Sequence, residues 1–346
     1  MTCTKEFSCK FALCFFVSLL CLILHGSCEA AADGFIIDKY DPNRCFNGVT
    51  LFADVSDGAK QRIVEVDMNG NAVWEYAVPV QLFAGKRGRK NIVMDVERLS
   101  SGNTLFIIQE VGIYEINKDG KVVWNHFDSA VSHSVQRLPN GNTLYTRGWA
   151  GKGDNHVIEI NPEGNIVWAW NGIAQFSKSP YGGVYDQGWI HVNSATRLDN
   201  GNTLISLRNF NLVAEVNKQG DVVWKCDLTA VFSDKKQISS KAHPHSPDIL
   251  ANGNVLVALT AMNMIAECKQ PEGQPVQVWV HSDKRRIAHV RGVSRLPNGN
   301  TLIVEANKIV EFTPDWEIVW QMRQPAIVLN ERSKNSFLFK AQRIAR

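Results

Sequence analysis

A short motif returns along this chain, and its recurrence constrains the fold more than any other feature. Gly-Asn-Thr-Leu or a close variant, preceded by a turn-forming pair, occurs at residues 102–105, 141–144, 201–204, 253–256 and 299–302. A degenerate sixth copy lies at residues 47–51. Internal repeats of this kind are typical of solenoids, propellers and related arrays.

A second signature follows each copy of the first. An alternating apolar strand, a polar turn with glycine and an apolar pair lead to a tryptophan in six places, namely Trp74, Trp124, Trp168, Trp224, Trp279 and Trp320. Alternation and Asn-Gly turns predict hairpins, so each unit is interpreted as four short strands. The spacing between these tryptophans, 41 to 56 residues, is close to that of propeller blades. We expect the tryptophans to pack between blades.

The two ends of the repeat array are complementary. The first unit lacks an inner strand, whereas residues 339–344 resemble residues 133–138, which form a regular inner strand in the third unit. A C-terminal strand that completed the first blade would remove two exposed sheet edges. The sequence therefore predicts an all-β fold over residues 31–346, a six-bladed β-propeller of four-stranded antiparallel blades whose ring is closed by the C-terminal strand.

The N-terminus has the pattern of a signal peptide. Lys5 and Lys10 precede an apolar run at residues 11–24, and small residues follow up to Ala30, so we expect cleavage after residues 1–30. The run is shorter than the ~20 residues of a membrane-spanning helix. The mature chain is therefore predicted to have no membrane span and to lie in the secretory-pathway lumen or outside the cell.

Cysteine usage fits an oxidising compartment. Five of the eight cysteines lie within the predicted signal peptide, which leaves Cys45, Cys226 and Cys268. Three thiols permit one disulfide and one free cysteine, and the sequence leaves the pairing open. The net charge of +3 is too small to indicate a nucleic-acid partner. The basic cluster at residues 86–90 is interpreted as a solvated loop, whereas the cluster at residues 284–286 lies just upstream of His289 and is able to attract an anion toward it.

Histidine and arginine recur at two positions near the start of the inner strands. Counted back from the Arg-Leu pair or its equivalent, the fourth position holds Met94, His133, Asn193, His245 and Arg291, and the sixth holds Ile92, Val131, His191, His243 and His289. Inner strands surround the axis of a propeller, and the even spacing predicts that both positions face one side. A single histidine would usually be structural. Recurrence in consecutive blades favours a common site at the mouth of the ring.

Three blocks around these histidines resemble the arylsulfate sulfotransferase family of propeller enzymes. They are residues 189–194 (Trp-Ile-His-Val-Asn-Ser) with the downstream Arg208, residues 133–141, and residues 245–248. The resemblance implies a nucleotide-independent transfer between an aryl sulfate and a phenol, with no cofactor. It assigns the nucleophile to His245 and places His133, His191 and Arg208 around the sulfuryl group. The chain departs from the family pattern at Pro244, at Ser246 and Pro247, and at Asn209.

The chemistry of these residue types fits the implied reaction. A neutral imidazole can attack a sulfuryl group and leave a labile N-sulfo-histidine, while arginine and further imidazoles stabilise the charged oxygens. Residues of the two recurring positions and their neighbours are predicted to bind substrate, namely Asn193, Trp189, His243, His289 and Arg291. We expect Trp189 to line an aromatic pocket, and the insert at residues 174–187 to cover the mouth as a lid.

Two other functions are compatible with converging histidines. Three or four imidazoles on one axis could hold zinc or iron, as in a metal-dependent lyase or oxygenase. The chain could also be a secreted propeller that binds a ligand without catalysis, because many propellers only bind. The sequence gives no indication of the oligomeric state.

Overall fold

In a computed structural model, the described residues are 34–85, 91–229, 241–273, 275–280, 290–327 and 338–346, with the backbone alone for 275–280. The predicted signal peptide, both basic clusters and His289 lie outside them. Within this part the strands form six small antiparallel sheets. The sheets follow one another along the chain as the blades of a ring, which confirms the six-bladed propeller.

Each blade has an inner strand at the axis, followed by its other strands in outward order. Blade one contains β25 (Ala341–Ala345), β2 (Gly48–Asp54), β3 (Arg62–Val66) and β4 (Ala72–Ala77). Blade two contains β5 (Val93–Arg98), β6 (Thr104–Ile108), β7 (Gly112–Ile116) and β8 (Val122–Phe127). Blade three contains β9 (Val135–Arg137), β10 (Thr143–Thr146), β11 (Val157–Ile160) and β12 (Ile166–Trp170).

The second half continues the same order. Blade four contains β13 (Val192–Arg197), β14 (Thr203–Leu207), β15 (Leu212–Val216) and β16 (Val222–Asp227). Blade five contains β17 (Pro244–Ile249), β18 (Val255–Leu259), β19 (Met264–Cys268) and β20 (Pro275–Val280). Blade six contains β21 (Gly292–Arg295), β22 (Thr301–Val304), β23 (Lys308–Phe312), β24 (Ile318–Arg323) and β1 (Ile36–Tyr40). Short helices are α1 (Ile173–Phe176) and the 3₁₀ turns Val80–Phe83 and Arg208–Phe210.

Both ends of the described chain close the ring. Strand β25 pairs with β2, with Ile344 opposite Val49, which confirms the predicted closure of blade one by the C-terminal strand. Strand β1 was not expected: it pairs with β24 and makes blade six five-stranded. The side chains of Gln321 and Arg323 both bond to Asp38 of β1. The ring is thus closed at its inner edge and covered at its outer edge, which protects otherwise open strands.

A repeated contact, which we call the latch, joins neighbouring blades. In the latch between blades two and three, the Arg137 guanidinium lies 4.6 Å from the Trp124 ring and pairs with Glu115 at 2.7 Å. The Trp124 indole nitrogen donates to the carbonyl of Pro162 in the next blade. The other latches are Arg98–Glu65–Trp74, Arg197–Glu159–Trp168 and Arg343–Glu311–Trp320. The repeat tryptophans in these latches therefore pack between blades, as predicted.

The cysteine pairing, open from the sequence, is settled by the structure. Cys226 of blade four and Cys268 of blade five form a disulfide with their Cα atoms 6.1 Å apart. Cys45 is free and buried, and its thiol donates to the carbonyl of Val319. Burial raises the pKa of the Cys45 thiol to about 11, which disfavours the reactive thiolate form.

Across the described ranges, every helix is too short or too polar to cross a lipid bilayer.

Candidate functional site

The segments that carry the predicted site have an unusual backbone. His133, His191 and His243 adopt left-handed conformations, with φ of 68°, 55° and 51°. Residues with a side chain seldom occupy this region, which costs of the order of 1 kcal/mol per residue unless surrounding contacts compensate. Three histidines at one end of adjacent blades share this strained conformation. Strained residues of this kind cluster at functional sites, where the backbone fixes the direction of a side chain.

Bulges interrupt the inner strands at the same level. The pairing register shifts between Val192 and Ser194 in β13, and between His245 and Asp248 in β17. Ser246, inside the second bulge, also has a positive φ of 44°. The regular alternation expected from the even spacing is therefore not maintained. Bulges redirect side chains and are common beside active sites, and here they let residues at both counted positions converge.

The convergence itself is present for the main predicted residues. The rings of His133 and His191 are 5.1 Å apart, centroid to centroid. His245 interacts electrostatically with both of these histidines and with the guanidinium groups of Arg291 and Arg208. Side chains from blades three, four, five and six thus lie close enough to interact, and we call the space between them the cavity.

The imidazoles of this cavity are neutral. Burial, followed by the charge of Arg208, lowers the pKa of His191 to about 3 and that of His243 to about 4. For His245, burial and the charge of Arg291 hold the pKa well below the usual value. Burial and the neighbouring His191 do the same for the pKa of His133. Neutral imidazoles have a lone pair available for nucleophilic attack or proton acceptance.

Arg208 is fixed at the edge of the cavity by one of its terminal nitrogens. Its Nη1 donates to Asn209 Oδ1 at 2.7 Å and lies 3.4 Å from a carboxylate oxygen of Asp186. Its bonds within the described residues all use Nη1, so Nε and Nη2 remain for a bound anion. Arg291 packs its guanidinium 4.4 Å from the ring of Phe339, and burial lowers its pKa to about 10, so it stays charged.

The charges give the cavity a preference for anions. Arg208, Arg291 and Lys241 contribute three cationic groups near the histidines, and Asp186 provides the neighbouring carboxylate. That carboxylate is already paired with Lys241 at 3.0 Å. Because cations exceed carboxylates around neutral imidazoles, the described part of the cavity attracts a negatively charged ligand.

The insert at residues 174–187 is docked against blades three and four. Lys152 Nζ donates to the carbonyls of Ser177 and Gly182, and the rings of Phe176, Tyr181 and Phe210 pack together. At its end, the Asp186 carbonyl accepts a hydrogen bond from Asn209 and lies 3.2 Å from His191 Nδ1. The insert therefore orients His191 and Arg208, and movement of the insert as a lid remains a prediction.

The expected position of Trp189 is corrected by the structure. Its side chain is only 1% exposed and packs in the core against Phe210, while its indole nitrogen donates to the carbonyl of Tyr181. The aromatic wall of the cavity is Trp149, whose ring lies 4.8 Å from His133 and 6.0 Å from His191. Trp149 lies outside the repeated tryptophan pattern. This exception to the pattern was the sequence feature that could have identified it as a site residue.

The remaining predicted residues have different environments. Asn193 Nδ2 donates to the Pro244 carbonyl, so it ties β13 to the strand of His245. His243 lies beside Arg208 and Lys241, but its Nε2 is enclosed without a hydrogen-bond partner among the described residues. His289, predicted to bind substrate, lies outside the described residues. Among the side chains that the structure describes, no group of three histidines, cysteines or carboxylates is arranged to hold a metal ion.

Comparison with known proteins identifies the family. The arylsulfotransferase (ASST) family model matches residues 37–253, which is more than half of the chain and includes His133, His191, Arg208 and His245. The chain belongs to this family, and membership indicates an arylsulfotransferase-type enzyme acting on small molecules. No curated protein sequence matches the chain.

Solved structures show the same fold at low sequence identity. A Bacteroides caccae protein of unknown function is 18% identical with a TM-score of 0.59, and the match covers 85% of this chain and 98% of that one. A streptogramin B lyase is 14% identical with a TM-score of 0.53, covering 87% and 90%. A catalytically inactive virginiamycin B lyase from Staphylococcus aureus, with quinupristin, is 15% identical with a TM-score of 0.51, covering 82% and 87%. At these identities the likeness concerns the fold alone.

Proposed function

We propose that this protein transfers a sulfuryl group from an aryl sulfate to a phenol through an N-sulfo intermediate on His245, without a nucleotide donor. The observation that carries this proposal is a neutral imidazole, His245, that interacts electrostatically with two arginines. Burial and the charges of Arg291 and Arg208 lower the pKa of His245 and keep its ring unprotonated. The same two arginines can neutralise the charge of the sulfuryl oxygens. Membership of the arylsulfotransferase family supports aryl sulfates as the substrate class.

In the first step, an unprotonated ring nitrogen of His245 attacks the sulfur atom. An N–S bond forms, the bond between sulfur and the aryl oxygen breaks, and the phenolate leaves with the bonding electrons. The charge on the sulfuryl oxygens spreads as this bond lengthens. The Nε and Nη2 groups of Arg208 and the guanidinium of Arg291 can bind these oxygens through charge-assisted hydrogen bonds.

In the second step, a phenol replaces the product at the same place. Its oxygen attacks sulfur, the N–S bond breaks, and the electron pair returns to His245. The proton of the phenol passes to a base, and the released phenolate of the first step takes up one proton, so the exchange is balanced. The aromatic ring of Trp149 beside His133 and His191 provides a surface for an aryl group.

We also propose that the protein works in the secretory pathway or outside the cell. The N-terminal pattern at residues 1–30 supports this location, and the Cys226–Cys268 disulfide is consistent with an oxidising compartment. A sulfuryl donor that is not a nucleotide suits a compartment outside the cytosol.

The decisive experiment combines a chromogenic aryl sulfate, a phenol acceptor and intact-mass analysis. We expect phenolate release that depends on the acceptor, and a mass increase of one sulfuryl group on a peptide that contains His245. In His245→Asn, both should be lost. His126→Asn is a matched control, because His126 lies on the outer strand of blade two and should keep full activity. Binding of the ester without phenolate release would support a binding propeller instead, and activity that chelators abolish would support the metal alternative.

The pH dependence of the first step gives an independent measurement. The pKa of His245 is held well below its usual value, so the nucleophile stays unprotonated as the pH falls. We expect the rate of the initial phenolate burst to change little between pH 7 and pH 5. A free imidazole with a pKa near 6.5 would lose about 25-fold over this range. A loss of that size would contradict the assigned environment of His245.

A further inference from the structure

We propose that the propeller has a second binding site, which takes a short alkylammonium ion, in a pocket on the inner strands of blades four to six. We call it the hydroxyl pocket, and its volume is about 180 Å³. The inference goes beyond sulfuryl transfer and does not depend on it. Among the described residues, the polar lining is Ser194, Thr196, Ser246, Asp248, Ser294 and Lys340.

A bulge forms one wall of the hydroxyl pocket. Alternate residues of a regular strand face the same side, but Ser246, Pro247 and Asp248 all line this pocket. The pairing register of β17 shifts between His245 and Asp248, and such a bulge redirects side chains. Ser246 and Pro247 are also places where the chain departs from the family pattern. Residues particular to this chain therefore build part of the pocket.

Short side chains on blades four and six create the space. In blades one to three, the residue before the Arg-Leu pair or its equivalent is long. Glu97, Gln136 and Gln342 each accept a hydrogen bond from a backbone amide of the next blade. Thr196 and Ser294 hold this position in blades four and six, and their side chains are too short for the same contact. Both of these short residues line the pocket.

Four hydroxyl groups line the pocket without a protein partner. The side-chain oxygens of Ser194, Thr196, Ser246 and Ser294 make no hydrogen bond to any residue that the structure describes. Ser194 is only 3% exposed, so its hydroxyl is almost withdrawn from bulk solvent. Buried polar groups are nearly always hydrogen-bonded. These four hydroxyls can accept hydrogen bonds from the N–H groups of a ligand.

Asp248 gives the pocket a negative charge. Its carboxylate accepts a hydrogen bond from the Arg295 amide at 2.9 Å, and it has no salt bridge to a described lysine or arginine. Burial raises its pKa. Lys340 also lines the pocket, but its ammonium group pairs with Asp95 at 2.7 Å and donates to Ser134 at 3.0 Å. The charge of Lys340 is therefore compensated, and a cationic ligand would compensate that of Asp248.

The size and the remaining lining favour an organic cation over a metal ion. A volume of about 180 Å³ equals that of about six water molecules, which is far more than a bare ion occupies. Ligand pockets usually combine apolar surface with a few polar groups. A short alkylammonium ion can place its N–H groups on Asp248 and the hydroxyls, and its chain on the apolar wall. That wall is formed by Pro247, Val293, Leu302, Val304 and Ala341.

Calorimetric titration of the purified protein with n-butylammonium chloride tests the proposal directly. We expect saturable binding at one site per chain. We expect no binding of 1-butanol, which has a similar chain but no charge, and no competition by sodium or potassium chloride. Equal binding of 1-butanol would show that charge is not recognised, and competition by either metal ion would assign the pocket to an inorganic cation. Either result, or no saturable binding of butylammonium, overturns the proposal.

Asp248→Asn tests the charge. The amide oxygen of asparagine can still accept the Arg295 amide, but the carboxylate is lost. We expect the affinity for butylammonium to fall about 10- to 100-fold, which corresponds to the loss of a hydrogen bond to a charged group. Asp119→Asn is the matched control, because Asp119 lies exposed in a turn of blade two and its replacement should leave binding unchanged. Equal affinities of Asp248→Asn and this control would refute the proposal.

Ser294→Gln tests the position of the site. A glutamine here matches Gln136 and Gln342 in blades three and one, so it should accept the Arg343 amide and fill the pocket. We expect butylammonium binding to be lost while the urea denaturation midpoint stays the same or rises. Retained binding in this variant would place the amine elsewhere and contradict the inference. Turnover of aryl sulfates plays no part in these titrations, so a failure of the proposed function would leave their outcome unaffected.

Discussion

Two kinds of blade interface occur in the described part of this propeller. At four interfaces of the described part, an arginine from one blade pairs with a glutamate and covers a tryptophan of the preceding blade. Between blades four and five the corresponding position is Ile249, which is 44% exposed. Trp224, the tryptophan of that interface, has a buried indole nitrogen without a partner among the described residues, and Glu215 bonds to Asn200 and Asn202. The described part of this interface therefore lacks the latch.

The disulfide lies where the latch is missing. Cys226 and Cys268 join blades four and five covalently. This interface also carries His191 at the start of one inner strand and His245 in the next, and the Asn193–Pro244 hydrogen bond crosses it. The disulfide therefore joins these two blades at an interface where the inner strand has no arginine at the latch position. The comparison therefore teaches that, in the described part of the ring, the interface without the arginine contact is the one that carries a covalent bond.

Breaking a latch should have the largest effect. The Arg343–Glu311 pair is the most buried, with both side chains fully shielded and 2.9 Å between them. Arg343→Leu would leave the Glu311 charge uncompensated in the interior, and loss of one partner of a buried pair costs about 3–5 kcal/mol. We expect a loss of this size in the free energy of unfolding, measured by urea denaturation with unchanged m-value.

The matched control is an exposed pair at the outer edge of blade six. Arg323 pairs with Asp38 at 3.0 Å, and the side chains are 36% and 28% exposed. Arg323→Leu should cost at most about 1 kcal/mol. Equal losses in the two variants would mean that the buried latch contributes no more than a surface ion pair.

Removing the disulfide should have the next largest effect. In a protein with Cys226→Ser and Cys268→Ser together, we expect a loss of about 2–4 kcal/mol in the free energy of unfolding. Reduction of the wild type by a thiol under the same denaturing conditions should give a similar loss. Cys45→Ser is the control, because it keeps a donor to the Val319 carbonyl and leaves the disulfide in place. If the double variant were as stable as this control, packing alone would hold the interface.

The fold could be predicted from the sequence because each repeat is determined by interactions between residues that are near one another in the chain. Each Asn-Gly turn, each alternating strand and each tryptophan is set by its own few residues, and the pattern of residues 339–344 revealed the closing strand. The outer strand β1 could not be found in this way. Residues 36–40 have no counterpart in the other units, and their place on β24 depends on contacts with Asp38 across nearly the whole length of the chain.

The site could be predicted in part. His133, His191, His245, Arg208 and Arg291 were found because they recur at counted positions or match the family blocks. Trp189 was misplaced, since proximity in sequence to His191 says nothing about which way a left-handed turn directs its neighbours. Asp186 was missed because its carbonyl oxygen contacts His191 and Arg208, and these partners are defined only by the folded loop.

Introducing a latch between blades four and five should have the smallest effect on the free energy of unfolding. It is also the most direct test of the difference between the two kinds of interface. Ile249 occupies the position of Arg197 and Arg137 in the other inner strands, and Glu215 and Trp224 match their partners in sequence. Ile249→Arg should place a guanidinium between this carboxylate and this ring. A partly exposed ion pair and a cation–π contact together predict a gain of about 1 kcal/mol in the free energy of unfolding.

The gain should be larger when the disulfide is absent, because the new latch then joins blades four and five without a covalent bond beside it. Urea denaturation of Ile249→Arg with and without the cysteine pair measures this coupling, since contacts that share one interface are not additive. Ile249→Lys is the matched control: it keeps the charge but lacks the planar guanidinium that stacks on tryptophan. Equal gains for lysine and arginine would show that charge alone acts here. No gain in either background would mean that this interface cannot accept the latch.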